Sequence, residues 1–176
     1  PTESDKSRGE SGLLQEGDES AEQDQAFTDM EDALMGRGGE SMVTDQMLKH
    51  VITRVTDEGL IIELFATDDH PLFEGDTDRP TVLLRDLVRM VTRVIAPVRN
   101  TLAIEGHLRA HPVVLANNPA WDQSTRRAHV ARELFEFAGV KPERIRRVTG
   151  NADRELVARD PMSTRNNRIE VILLRE

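Results

Sequence analysis

The chain has no cysteine, no tyrosine and a single tryptophan in 176 residues. The missing thiols exclude disulfides, thiolate metal ligands and a cysteine nucleophile, and are compatible with either cytoplasm or periplasm. Long apolar runs are also missing: no stretch approaches the 18 or so consecutive apolar residues of a transmembrane helix. A basic footprint is lacking too, the formal charge being -9, which argues against nucleic acid as a partner. No Gly-x-Ser-x-Gly elbow, His-Glu-x-x-His helix, phosphate-binding glycine loop or internal repeat occurs. The chain starts at Pro1 and shows no signal-peptide pattern, so it is expected to be a soluble fragment of a longer protein.

What is present is unevenly distributed. Residues 1–45 carry 13 Asp and Glu against 3 Lys and Arg, a net of -10, while residues 46–176 carry 19 against 20, a net of +1. The acidic quarter is poor in large apolar side chains and cannot bury enough surface to offset its ordering entropy. Residues 1–25 are therefore expected to be a disordered acidic linker. Phe27, Met30 and Leu34, three and four apart, mark a short amphipathic helix within 26–46 that ends at Gly36-Arg37-Gly38-Gly39. That helix is expected to pack on little, so that deleting residues 26–36 leaves the thermal midpoint unchanged.

The folded domain is expected over 47–176. His50–Val55 and Leu60–Phe65 are rich in β-branched residues around Asp57-Glu58-Gly59, a hairpin signal. Residues 66–80 hold acids, two prolines and a glycine, and read as loop. Val82–Ala96 places Leu84, Leu87, Val88, Val91, Val94 and Ile95 on one stripe and Arg85, Arg89 and Arg93 on a solvated face, and Pro97 stops it. Leu102-Ala103-Ile104 reads as a strand and 108–120 as a loop. Ser124–Ala138 reads as a helix with Ser124 as its N-cap, Phe137 or Ala138 facing inward, and Gly139 as its left-handed terminator. Arg146–Gly150 and Arg168–Leu174 supply the last strands. Gly106 reads as a turn requirement at a strand end, and Trp121 as packed under a loop. This order implies an α/β (α+β sandwich) fold, a mixed sheet with helices on one face.

For chemistry, the five histidines are scattered rather than set at ligand spacing. His107 and His111 are four apart but lie in a strand end and a loop, which does not suit a metal. No carboxylate pair stands out for catalysis. The chain reads as a binding module, not an enzyme, with no cofactor and no metal.

Three motifs in fixed order sharpen this: Ile104-Glu105-Gly106-His107, Trp121-Asp122-Gln123-Ser124-Thr125-Arg126-Arg127-Ala128, and Asn166-Asn167-Arg168-Ile169-Glu170-Val171. Together they resemble the OmpA-like peptidoglycan-binding family, and within it the C-terminal domains of MotB-type flagellar stator proteins. The resemblance covers about residues 47–175. It implies a periplasmic domain of an inner-membrane-anchored protein in a Gram-negative bacterium. In the family such a domain anchors the stator to peptidoglycan, pairs as a homodimer and works with a MotA-like membrane partner through a transmembrane segment outside this chain. A segment after the membrane helix plugs the ion channel in that family, which offers a second reading of residues 26–36.

Peptidoglycan presents carboxylates and, in diaminopimelate, an ammonium, so recognition calls for both a cation and an anion. The family uses an Asp after Gly-His-Thr and the Arg of Ser-x-x-Arg-Ala. Arg127 matches the second. At the first this sequence has Gly106-His107-Leu108-Arg109, with Ala120 and Gln123 also departing from the pattern. The candidate peptidoglycan-binding residues are Arg127, His107, Arg109, Ser124 and Arg168. A cation at 109 repels an ammonium and favours a carboxylate. This leaves open a different stem, another anion, or an OmpA-family envelope scaffold or lipoprotein domain that no longer binds the wall.

Overall fold

The computed structural model describes residues 7–35, 42–111 and 118–176. The elements run α1 (Ser7–Met35), α2 (Met42–Leu48), β1 (Val51–Val55), β2 (Gly59–Phe65), α3 (Val82–Ile95), β3 (Leu102–His107), α4 (Ala120–Phe137), β4 (Ile145–Gly150) and β5 (Arg168–Leu174). The five strands form one sheet in the order β1-β2-β5-β3-β4. β1, β2, β5 and β3 pair antiparallel in turn, and β3 pairs parallel with β4. The last strand in the chain thus enters between β2 and β3, both already parallel to each other. This is the expected α+β sandwich with a mixed sheet.

Alternation along each strand gives the sheet two unlike faces. Leu60, Ile62, Leu64, Leu102, Ile104, Ile169, Val171 and Leu173 point to one side and form the core with Leu84, Leu87, Val88, Val91 and Ile95 of α3 and Ala131 and Phe135 of α4. Thr81 caps α3, its hydroxyl accepting from the Leu84 amide at 3.4 Å. Arg85, Arg89 and Arg93 are exposed, as a solvated face requires.

Three expectations are corrected. Residues 7–35 are one helix rather than a disordered stretch followed by a short helix; residues 1–6 and the glycine breaker at 36–39 lie outside the described residues. Its second half is also not loose: Phe27, Met30 and Leu34 are buried in the main core. The apolar area they remove from water supplies what composition alone does not. Arg175 and Asp24 are tied at 2.7 Å, and the Arg175 guanidinium lies 5.4 Å from the Phe27 ring centre.

The third correction concerns α4, which starts at Ala120, a turn before Ser124. Asn118 Oδ1 accepts from the Ala120 amide at 3.0 Å, so the helix entry is served from outside and Ser124 sits in the helix. Phe135 points inward and Phe137 outward, at 0% and 90% exposure. Gly139 follows at φ +116°, the conformation expected of the terminator.

α4 lies against β3 at Gly106. A Cβ there would come within 2.3 Å of the Ser124 carbonyl oxygen, so Gly106 is a close-approach residue inside a strand rather than a turn residue. Gly150 plays the same part on β4 against Thr125.

Candidate functional site

The other face of the sheet is charged where β2, β5 and β3 end or begin. Glu63, Glu170 and Glu105 stand in register on these three adjacent strands. Like charges directly opposite are destabilising, and burial sharpens the cost, Glu63 being 2% and Glu170 5% exposed. Cations answer them. Arg165 pairs with Glu63 and stacks 3.8 Å from the Phe65 ring centre. Arg168 Nε donates to Glu170 Oε1 at 2.9 Å, Arg54 lies 3.6 Å from Glu63 and 3.5 Å from Glu170, and Arg147 Nη2 donates to Glu105 Oε1 at 2.9 Å.

His107 is the remaining member, 2% exposed. Its Nε2 is 3.5 Å from Glu105 Oε2 and 3.9 Å from Glu170 Oε2. The hydrogen bond with His107, more than that with Arg147, holds the Glu105 carboxyl below the ordinary value of 4.5, against the opposing effect of burial. Glu105, His107 and Glu170 place three ligand-type atoms within 4.8 Å of one another. The Asn151 amide nitrogen, however, lies 2.9 Å from Glu105 Oε2 and 3.4 Å from His107 Nε2. With Arg147 and Arg168 alongside, the group is a hydrogen-bonded network already supplied with donors.

His107 also lines a cavity of about 370 Å³ bounded by Arg109, Arg127, Arg168, Phe73 and Asn167. Arg127 comes from α4 and is 6% exposed. Its Nε donates to the Thr77 carbonyl at 3.0 Å and Nη2 to the Gly75 carbonyl at 2.9 Å. The guanidinium carbon stands 4.7 Å from the Phe73 ring centre. Burial pushes the Arg127 guanidinium down to about 10, with Asp76 and Asp78 pulling it up and Arg109 pushing it further down. It stays a cation at neutral pH. Arg109 is exposed at the rim, its backbone amide donating to Asn167 Oδ1 at 2.8 Å.

Four of the five residues named from the sequence, His107, Arg109, Arg127 and Arg168, therefore meet around one cavity. Ser124 does not. It is fully buried, donating to the Trp121 carbonyl and accepting from the Ala152 amide, each at 3.0 Å. It holds the loop after β4 against α4. Arg168 serves Glu170 and Glu63 rather than standing free. Trp121 is half-exposed, not packed under a loop, with the Arg154 guanidinium 5.8 Å from its ring centre.

Sequence reasoning missed Phe73 and the backbone of residues 75–77, which hold Arg127, and the acids Asp68 and Asp76 that share the cavity wall. Gln123 belongs with them, donating to the Asp76 carbonyl and so fixing the same loop to α4.

No family model matches the chain. Motility protein B of Escherichia coli K12 is 25% identical over 128 residues, covering 71% of this chain and 42% of that protein. The chain thus matches less than half the length of that relative. Among solved structures, a MotB-like protein from Desulfovibrio vulgaris superposes with a TM-score of 0.68 at 18% identity, covering 93% of this chain and 99% of that one. The fold is that of an OmpA-like, MotB-like domain. Another structure with this OmpA-like fold is the cell wall anchor of the T6SS from Pseudomonas aeruginosa, at TM-score 0.59 and 21% identity, covering 80% and 98% of the two chains.

Proposed function

We propose that this domain is a non-catalytic periplasmic anchor. It holds a MotB-like component of a flagellar stator to peptidoglycan, as one half of a homodimer, and so supports motor rotation and motility. A MotA-like membrane partner is engaged through a part of the protein outside this chain. The observation that carries the reading is the cavity at the end of β3. There Arg127 is held by Phe73 and two backbone carbonyls, in a chain similar in sequence to a motility protein and in fold to a cell wall anchor. A planar guanidinium fixed in this way is pre-organised for a carboxylate, because little rotamer freedom is left to lose on binding.

Sedimentation with purified sacculi tests it. The wild-type chain is expected to co-sediment at low salt, and Arg127→Ala to lose about tenfold or more in affinity, as befits a charged hydrogen-bonding partner. Absence of co-sedimentation at low salt overturns the reading. Arg109 favours one second reading, a scaffold that no longer reads diaminopimelate, since its cation repels an ammonium. Arg109→Asp separates the two: a gain in retention on diaminopimelate-containing sacculi shows that the unsubstituted cavity has turned away from that ligand.

A further inference from the structure

A second cavity, of about 370 Å³, shares Thr67 with the arginine-lined one and is otherwise built from different residues, at the end of α2, the start of α3 and the loop after β2. His50, His70, Asp86 and Lys49 are its titratable members, and Met47 and Leu83 give it an apolar side. His50 is 5% exposed, and its Nδ1 stands 2.9 Å from the Phe65 carbonyl oxygen. A carbonyl only accepts, so Nδ1 carries the proton and the neutral ring presents a lone pair at Nε2. That nitrogen makes no hydrogen bond among the described residues and, unlike His107 Nδ1, is not sealed from solvent. An imidazole held through one nitrogen by a backbone carbonyl, with the other nitrogen bare, is oriented as metal-binding histidines are.

The exposed His70 stands beside it, with ring centres 5.8 Å apart and planes at 68°. With zinc–nitrogen bonds of about 2.0–2.1 Å, each ring centre lies roughly 3.2 Å from a shared ion, which sets two imidazoles at a tetrahedral angle roughly 5.2 Å apart. The observed spacing is close to that, and the exposed ring is free to turn the rest of the way. We propose that His50 Nε2 and His70 hold a single divalent ion of the zinc class in this cavity, with Asp86 swinging in as third ligand and water in the fourth position. Asp86 now accepts from Arg89 at 2.7 Å, a largely solvent-facing pair one turn apart on α3, and such a pair is weak enough to be given up. Lys49 opposes a cation, but it is exposed and its long stem lets the ammonium turn to water. Two imidazoles and one carboxylate select a borderline ion over magnesium or calcium, which prefer oxygen ligands throughout. Because the ligands come from separate parts of the chain, no spacing motif announces them, and an ion held between them stabilises the folded state over the unfolded one. The site does not depend on wall anchoring.

Zinc chloride titrated into the full chain and followed by calorimetry tests this, with magnesium chloride as the control. One equivalent of zinc is expected to bind and magnesium is not, and the thermal midpoint is expected to rise with zinc and to return on chelation. His70→Gln leaves the core untouched because the ring is exposed, and is expected to lower zinc affinity by about tenfold or more, the cost of losing even a supporting residue around a metal. Asp86→Asn is expected to weaken binding in the same direction. In nitrogen-resolved spectra of the histidine rings, zinc is expected to shift His50 Nε2 and one nitrogen of His70 while the His111 and His129 rings stay unmoved. Absence of saturable zinc binding, full affinity in His70→Gln or Asp86→Asn, or shifts centred on His107 instead overturns the proposal.

Discussion

Glu105 carries the clearest pH consequence of any single side chain. Its folded value lies below the ordinary 4.5, so the fold favours the carboxylate over the acid. That contribution is complete above the ordinary value and is lost as pH falls through the folded one. Glu105→Gln is therefore expected to flatten the acid limb of stability, read as the urea midpoint followed from about pH 7 down to about pH 3. An unchanged acid limb would show that the contact with His107 has no energetic weight. Little of this network could be read from the residues in line. Leu60-Ile61-Ile62-Glu63-Leu64-Phe65 presents Glu63 as the solvent-facing member of an alternating strand, yet it is 2% exposed. The reason is that its partners come from elsewhere, Arg54 from β1 and Arg165 and Arg168 from the far end of the chain. Pairing across a sheet depends on which strands become neighbours, and the entry of β5 between β2 and β3 settles that only in three dimensions.

At the scale of elements, α4 and its seat on β3 give two sharp expectations. Gly106→Ala would drive a methyl group against the Ser124 backbone, where no side chain can give way, and is expected to destabilise by about 1–3 kcal/mol in chemical denaturation. Phe135→Ala is expected to cost about 3–5 kcal/mol, whereas Phe137→Ser, on the exposed face, stays within about 0.5 kcal/mol. The two phenylalanines are a case of what periodicity can and cannot resolve. Ala128, Ala131 and Leu134 set a helix plainly enough. The start at Ala120 was hidden because Asn118, not Ser124, serves the first amide, while the buried stripe runs through Ala128, Ala131 and Phe135, three and four apart, which leaves Phe137 outside. The strands fared better, since β-branched runs between turn residues leave few alternatives: four agree to within a residue, and β3 continues past Ile104 through Gly106 to His107. For the site, Arg127, His107, Arg109 and Arg168 were legible because they sit in short motifs at fixed spacing. Phe73, Asp68 and Asp76 were not, because a loop carries no periodicity to show which of its side chains turn inward.

Across the whole molecule, the acidic quarter and the near-neutral remainder are joined by more than a tether. Phe27, Met30 and Leu34 belong to the main core, and Arg175 next to the chain's end pairs with Asp24. A fragment spanning 46–176 is expected to melt lower than the full chain, by on the order of 10 °C for the loss of three buried apolar side chains. A fragment spanning 20–176 is expected to match the full chain. Equal midpoints for all three would show that the helix contributes nothing to folding.

The central strand β5 has a mechanical consequence. It begins at Arg168, on the cavity wall, and ends at Leu174, beside the Arg175 that grips α1. A tug between a ligand in the cavity and the N-terminal helix is thus directed along β5, over roughly 20 Å at a strand's rise per residue. Neighbours pair with β5 along both edges, β2 on one side and β3 on the other. Such a load shears two ladders at once instead of unzipping either bond by bond, which makes the longitudinal axis of the sheet the stiff direction of the molecule.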